Sequence, residues 1–165
     1  GSELADTLTG GVGNDTLAGG IGNDTYVVDS STDTITEFVD GGTDTLVSSV
    51  TQTALAANVE NLTLSGTTNL SATGNTLANV MSGNAGDNTL TGDLGADTFV
   101  VGAGVDTITD LGNGADILTV AAGATASASA SRANAISLST PTFCNKRARY
   151  VLIVLGLKHS CSAIS

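Results

Sequence analysis

The chain has no tryptophan, aromatic residues make up only 3% of it, and proline occurs once. A core built around large rings is thereby excluded; whatever interior forms must be thin and filled with small aliphatic side chains. Both cysteines, Cys144 and Cys161, lie near the C-terminal end, so no disulfide framework can hold the preceding residues. No Lys or Arg precedes Arg132, while all 16 acidic residues lie between Glu3 and Asp116. Residues 1–131 therefore carry a formal −16 and the remainder +5, which gives the chain's −11. An acidic body without cationic side chains cannot neutralise itself through ion pairs. That charge excludes nucleic acid as a partner and points to multivalent cations. No apolar run approaches the ~20 residues of a membrane-spanning helix, and "YVLIVLGL" at 150–157 is too short. The single histidine, His159, has no sequence partner, and neither HExxH nor GxSxG occurs. No enzymatic activity is expected within this chain. A start without Met or a leader-like apolar stretch reads as a fragment or a processed piece.

What the chain does have is glycine, 21 of 165 residues, against a usual share of about 7%. These glycines fall in a frame. "GGVGNDTLA" (10–18) is followed directly by "GGIGNDTYV" (19–27), and "VDSSTDTIT" (28–36) keeps the same period. "GSELADTLT" (1–9) precedes them, and "GGTDTLV" (41–47) resumes after a two-residue insertion. A second block begins at residue 74 with "GNTLANVMS", "GNAGDNTLT", "GDLGADTFV" and "VGAGVDTIT", and ends in "DLGNGADILT". Position 6 of the unit is Asp6, Asp15, Asp24, Asp33 and Asp44, then Asn79, Asn88, Asp97, Asp106 and Asp116. Position 8 is apolar in every unit, from Leu8 to Leu118, and position 7 is mostly Thr. Positions 7 to 9 are expected to form a short strand with position 8 inward and Thr outward. Positions 1 to 6 form the turn, where glycine permits positive φ and close backbone approach. One apolar residue per unit cannot make a unit stable alone, so the units must stack.

The units at 10–27 match GGxGxDxUx, with U a large apolar residue, at every fixed position. They resemble the RTX, or haemolysin-type, calcium-binding repeat of secreted bacterial proteins. The resemblance implies an all-β fold: a right-handed parallel β-roll, or β-solenoid, with Gly-rich calcium-binding turns and two nonapeptides per coil. It implies several calcium ions held between units one coil apart. Asp6, Asp15, Asp24, Asp33, Asp97, Asp106 and Asp116 would be carboxylate ligands. Gly10, Gly11, Gly13, Gly19, Gly20 and Gly22 would shape the turns and present their carbonyls. Asp6 and Asp24 would share one edge, Asp15 and Asp33 the other. Asn79 and Asn88 depart from the pattern, and weaker or missing sites are expected around 74–91. Independently of the family, calcium takes about 6–8 oxygen ligands from carboxylates and carbonyls, which is what such a turn offers.

Four segments follow: a first repeat block (1–47), a metal-free stretch of the same solenoid (48–73), a second, degenerate block (74–123) and a basic, non-repeat tail (124–165). Within 48–73, "ENLTLSG" reads as a strand with Leu62 and Leu64 on one face, and "TALAANVE" as a candidate helical turn. Asn58, Asn61, Asn69 and Asn75 read as turn residues, with an internal amide ladder as the alternative. The tail is expected to be poorly ordered. Its break in composition reads best as an out-of-frame or mis-joined end, ahead of a C-terminal export signal or a basic surface anchor. The function expected is calcium binding by a secreted, extracellular or cell-surface β-roll that folds on the metal and stabilises or aids export of a larger protein. A type I secretion apparatus or a cell-surface polymer would be its partner. The alternatives are an adhesin or surface-layer module, and the C-terminal part of a secreted protease or lipase.

Overall fold

Three-residue strands carrying one inward side chain persist only if each is hydrogen-bonded to a neighbour, and the chain achieves this by stacking parallel copies. The computed structural model describes residues 1–112, 115–122, 124–128 and the backbone of 137–138. Among these there is no helix, and the strands build a parallel β-solenoid of about seven turns. In chain order they are β1 (Thr7–Thr9), β2 (Thr16–Ala18), β3 (Thr25–Val28), β4 (Thr34–Thr36), β5 (Thr45–Ser48), β6 (Asn61–Leu64) and β7 (Ser71–Thr73). There follow β8 (Val80–Ser82), β9 (Thr89–Thr91), β10 (Thr98–Val101), β11 (Val105–Ile108), β12 (Ile117–Val120), β13 (Thr125–Ala128) and β14 (Ser137–Leu138).

One face is an eight-stranded parallel sheet in the order β1-β3-β5-β6-β8-β10-β12-β14. The opposite face holds β2 beside β4, and β7, β9, β11 and β13 in succession. Register follows the coil: Leu8 lies opposite Tyr26, Leu17 opposite Ile35, and Ala72 opposite Leu90, each 18 residues apart. Insertions lengthen turns without rotating strands. Tyr26 still faces Leu46 across 20 residues, and Phe99 faces Leu118 across 19. A slip by one would have turned the apolar set outward.

The two faces close on a single layer of side chains. Tyr26, Leu46, Leu62, Met81 and Phe99 from the large sheet are sealed from solvent, as are Leu90 and Ile108 from the opposite face. On the large sheet several strands run four residues and deliver a second inward side chain, as in Tyr26 with Val28 and Phe99 with Val101. This is why Val replaces Gly as the first residue of the units at 28 and 101. Each such side chain contributes about 1.5–3 kcal/mol of burial, and the coil rather than the unit is what becomes stable.

Between the two repeat blocks the solenoid continues in altered form. After β5 the chain crosses to the opposite face, where Gln52 bridges to Ala72, and returns as β6, so β5 and β6 are neighbours in one sheet. Leu62 and Leu64 point inward from β6 as their alternation predicts. The candidate helical turn is absent: Val59 N–H bonds the Ala56 carbonyl in a simple turn, and Leu55 and Val59 fill the core. The solenoid also runs on through β13, inside the segment read from the sequence as tail. There Ser and Thr alternate with Ala, and Ala126 points inward beside Asp106. The remaining expectations for the tail lie outside the described residues.

Candidate functional site

A nonapeptide turn must bring position 1 back beside position 6 before the next strand starts, and the glycine is what allows it. A methyl group on Gly10 would stand 3.2 Å from both Asp15 Oδ2 and Asp33 Oδ2. One on Gly19 would overlap Asp24 Oδ2 and the Tyr26 hydroxyl, and one on Gly92 would overlap Asp97 Oδ2. The first glycine is therefore a seat for the position-6 acid. Gly11 meets the second requirement of the turn, a φ of 75° that other residues adopt only with strain.

The position-6 residues form two columns along the edges of the roll. On the edge leading into the large sheet, Asp6 N–H donates to Asp24 Oδ1, Asp24 N–H to Asp44 Oδ1, and Asp44 N–H to Glu60 Oε2, at 2.7–2.8 Å. Further along, Asn79 N–H donates to Asp97 Oδ1 and Asp97 N–H to Asp116 Oδ1. On the other edge Asp15 N–H donates to Asp33 Oδ1, and Asn88 N–H to Asp106 Oδ1. The structure thus brings together the two pairs named from the sequence, Asp6 with Asp24 and Asp15 with Asp33, and also pairs Asp97 with Asp116. Asp106 stands opposite an asparagine instead.

Asp6 and Asp15, the first rungs, only donate to this ladder; each acid beyond them spends one oxygen on it, and a local N–H meets the other oxygen in some turns and not in others. Where position 2 is Ser2 or Asn75 or Asn84, its N–H closes back onto the position-6 side chain, at Asp6 Oδ2, Asn79 Oδ1 and Asn88 Oδ1 respectively. Where it is Gly11 or Gly20, no such bond forms. Asp15, Asp24, Asp33, Asp44 and Asp106 each keep a buried Oδ2 with no hydrogen-bond partner. A buried carboxylate oxygen without a donor costs several kcal/mol if ionised, and no cationic side chain precedes Arg132 to relieve it. Burial pushes Asp44 and Asp106 above the usual carboxylate range and lifts Asp97 to about 6. Asp6 moves the other way, because Ser2 donates both its N–H and its O–H to it.

The asparagine turns are built differently. Asn84 donates to the carbonyls of Ser65 and Thr68, 3.0 Å each, and its Oδ1 accepts from Gly86 N–H and Asn88 Nδ2. Asn75 donates to the carbonyls of Ala56 and Val59, and Asn79 to those of Val59 and Glu60. In these turns amide nitrogens occupy the place between carbonyls that a cation would otherwise serve. Asn75, read from the sequence as a turn residue, is thus also a rung of the internal ladder.

At one turn three acids converge. Asp24, Glu37 and Asp44 are all buried, and each offers a carboxylate oxygen within 4.8 Å of the others. The Tyr26 hydroxyl accepts Gly19 N–H at 2.8 Å and donates to Glu37 Oε2. Sequence reasoning did not include Glu37, Glu60 or Asp44 among the ligands. Asp44 was legible as position 6 after an insertion, whereas Glu60 lies in a stretch without the glycine turn and carries no repeat signal. Glu37 holds no regular place in the repeat, and only the stacking of coils shows where it points.

The donor set is all oxygen, its free carboxylates are buried and mutually close, and its glycines leave no side chain in the cradle. These residues fit a hard divalent cation such as calcium. The family model for the RTX calcium-binding nonapeptide repeat, in four copies, matches residues 1–35 and 73–108. No curated protein and no solved structure matches the chain.

Proposed function

We propose, on the premise that residues 1–35 and 73–108 are RTX calcium-binding nonapeptide repeats, that this chain is a calcium-stabilised β-roll module of an extracellular protein. The observation that carries the reading is the set of five buried, partnerless carboxylate oxygens, on Asp15, Asp24, Asp33, Asp44 and Asp106, in a body without a basic side chain. Asp15 with Asp33, seated over Gly10, would hold one ion. Asp24 with Asp44, over Gly19, would hold another; Asp97 and Asp116 pair in the same register, but Asp116 Oδ2 already accepts Gly112 N–H, so a weaker site is expected there. Gly13, Gly20 and Gly22 shape these turns, with Gly20 and Gly22 packed against the Ser2 and Leu4 carbonyls of the preceding coil. The turns closed by Asn75, Asn79, Asn84 and Asn88 would hold none. Bound calcium supplies positive charge between columns that otherwise repel, so binding free energy becomes folding free energy. Millimolar calcium outside cells suits sites of this weak, exchangeable type. In this reading the module assists folding of a larger exported protein once outside and performs no chemistry itself.

The test is a far-ultraviolet circular dichroism titration with calcium, on the full chain, followed by excess chelator. The β signal is expected to grow at submillimolar to millimolar calcium and to fall again on chelation. Identical spectra and melting curves with calcium and with chelator would overturn the proposal.

A further inference from the structure

We infer that Glu37 is itself a cation ligand, so that the turn shared by Asp24 and Asp44 is a three-carboxylate site unlike the two-carboxylate turn of Asp15 and Asp33. The inference rests on the calcium reading above and adds to it a residue outside the repeat frame. The regular turns span six residues, as at 10–15 and 19–24, whereas the connection from β4 to β5 spans 37–44. Its two extra residues do not bulge as a polar loop. Phe38 and Val39 stand 64% and 75% exposed, while the adjacent Glu37 is buried at 8%. Turning two large apolar groups to solvent and a carboxylate inward inverts the usual preference and must be offset by something at the buried end.

What Glu37 meets there is more negative charge. Asp24 and Asp44 have spent their Oδ1 atoms on the ladder, and their Oδ2 atoms are buried without a partner. A methyl on Gly41 would lie 2.8 Å from Glu37 Oε1 and 2.9 Å from the Gly20 carbonyl oxygen, so these two oxygens face the same gap. The protein's own donors to Glu37 are neutral, the Phe38 N–H and the Tyr26 hydroxyl. The N-terminal ammonium on this edge is engaged by the Ala18 carbonyl. Three carboxylates around one gap require a cation of charge two or more. Because ligand charge sets affinity in oxygen sites, this turn fills before the two-carboxylate one. It is also the site best suited to a trivalent lanthanide, which shares calcium's preference for oxygen donors.

The Tyr26 hydroxyl gives the site a reporter, since terbium bound beside a tyrosine ring emits when the ring is excited. Tyr26 and Tyr150 are the only tyrosines, so Tyr150→Phe leaves a single sensitiser. Terbium added to the full-length Tyr150→Phe chain is expected to give tyrosine-sensitised luminescence, displaced by calcium, and Tyr26→Phe is expected to abolish it. Glu37→Gln should weaken terbium binding by at least ~10-fold, since even loss of an outer-shell partner costs about that much. Luminescence lifetimes in light and heavy water should then show about one more metal-bound water, taking the ligand position Glu37 leaves open. A merely structural Glu37 would not change that hydration count. Should Glu37→Gln fail to fold, Glu37→Asp, which keeps the charge on a shorter arm, carries the same lifetime measurement. If Glu37→Gln leaves midpoint and lifetime unchanged while Asp24→Asn shifts both, Glu37 is no ligand and the two-carboxylate calcium reading stands. If terbium gives no sensitised emission and calcium no change in dichroism, the calcium reading has failed and this inference with it.

Discussion

The asparagine-closed turns allow a direct exchange of amide for metal. In the unit 83–91, Asn84→Gly with Asn88→Asp restores the GGxGxD pattern. The Asn84 side chain makes four hydrogen bonds: to the Ser65 and Thr68 carbonyls, from Gly86 N–H and from Asn88 Nδ2. At about 1 kcal/mol net for each bond, their loss costs about 4 kcal/mol. The carboxylate introduced by Asn88→Asp would then face Asp106, whose Oδ2 is already partnerless. Against a total stability of about 5–15 kcal/mol for a domain, the double variant should be close to unfolded in chelator. Calcium should restore part of it, because the introduced carboxylate and Asp106 together form a site. At about 100 times the dissociation constant, mass action returns about 2.7 kcal/mol. The assay is urea denaturation followed by dichroism, in chelator and in millimolar calcium, with the bound calcium counted by calorimetry. The expectation is a large loss of stability in chelator, a partial recovery in calcium and one additional ion. Equal stability of parent and variant in chelator would show that the amide bonds carry nothing. An unchanged ion count would show that position 6 does not make a site.

Gly19→Ala and Gly11→Ala separate two reasons for glycine. The first should cost at least ~1–3 kcal/mol through overlap with Asp24 and Tyr26, and should weaken calcium binding. The second has nothing within 4 Å of the added methyl and should cost only the ~1–2 kcal/mol of a left-handed backbone. Melting curves that rank them in the opposite order would contradict the cradle. Phe99→Ala, at a fully buried position between Met81 and Leu118, should cost about 3–5 kcal/mol by calcium-saturated denaturation, and a loss below ~1 kcal/mol would mean the coil is not tightly packed. Without metal, stability should fall as pH rises from ~4 to ~6. Asp97 titrates at about 6 when folded against an ordinary 3.8, so in that window the folded chain holds a proton that the unfolded chain has released. Saturating calcium should reverse the sign, since it needs the ionised form. Metal-free melting temperatures that are flat or rising across this window would refute the assignment.

Much of this architecture was legible because the repeat enforces one answer at two levels. The apolar position 8 repeats every nine residues, and only an 18-residue coil puts Leu8 over Tyr26 and Leu17 over Ile35 in parallel register. The same coil places Asp6 under Asp24, so the edge columns follow from the core pattern. What the pattern does not reach is any residue that owes its position to a departure from the period. Glu37 and Glu60 sit where the connections lengthen, and their partners, Tyr26 and Asp44, lie 11 and 16 residues away along the chain. Asn75 and Asn84 occupy a glycine position, and their meaning lies in carbonyls of the preceding coil.

These departures share one physical logic. In a roll with no basic side chain before Arg132, an inward oxygen at position 6 must be met by an N–H or by a cation. Ser2, Asn75 and Asn84 supply the N–H locally, and their turns are complete as folded. Gly11 and Gly20 do not, and their turns are left with buried, partnerless carboxylates. Whether a local N–H reaches the position-6 oxygen thus divides the coils into those that stand alone and those that wait for metal: Asp33, with Asp29 at position 2, falls among the latter, and Asp116, reached by Gly112 N–H, among the former. The two asparagine-closed turns lie together at 74–91, away from the exposed first turn at Ser2–Asp6 and over the stretch where Leu55, Val59, Leu62 and Leu64 thicken the core. Folding in low calcium should therefore begin in this middle section and spread to both ends as the ions bind, because in a stacked solenoid each coil is stabilised only by its neighbours.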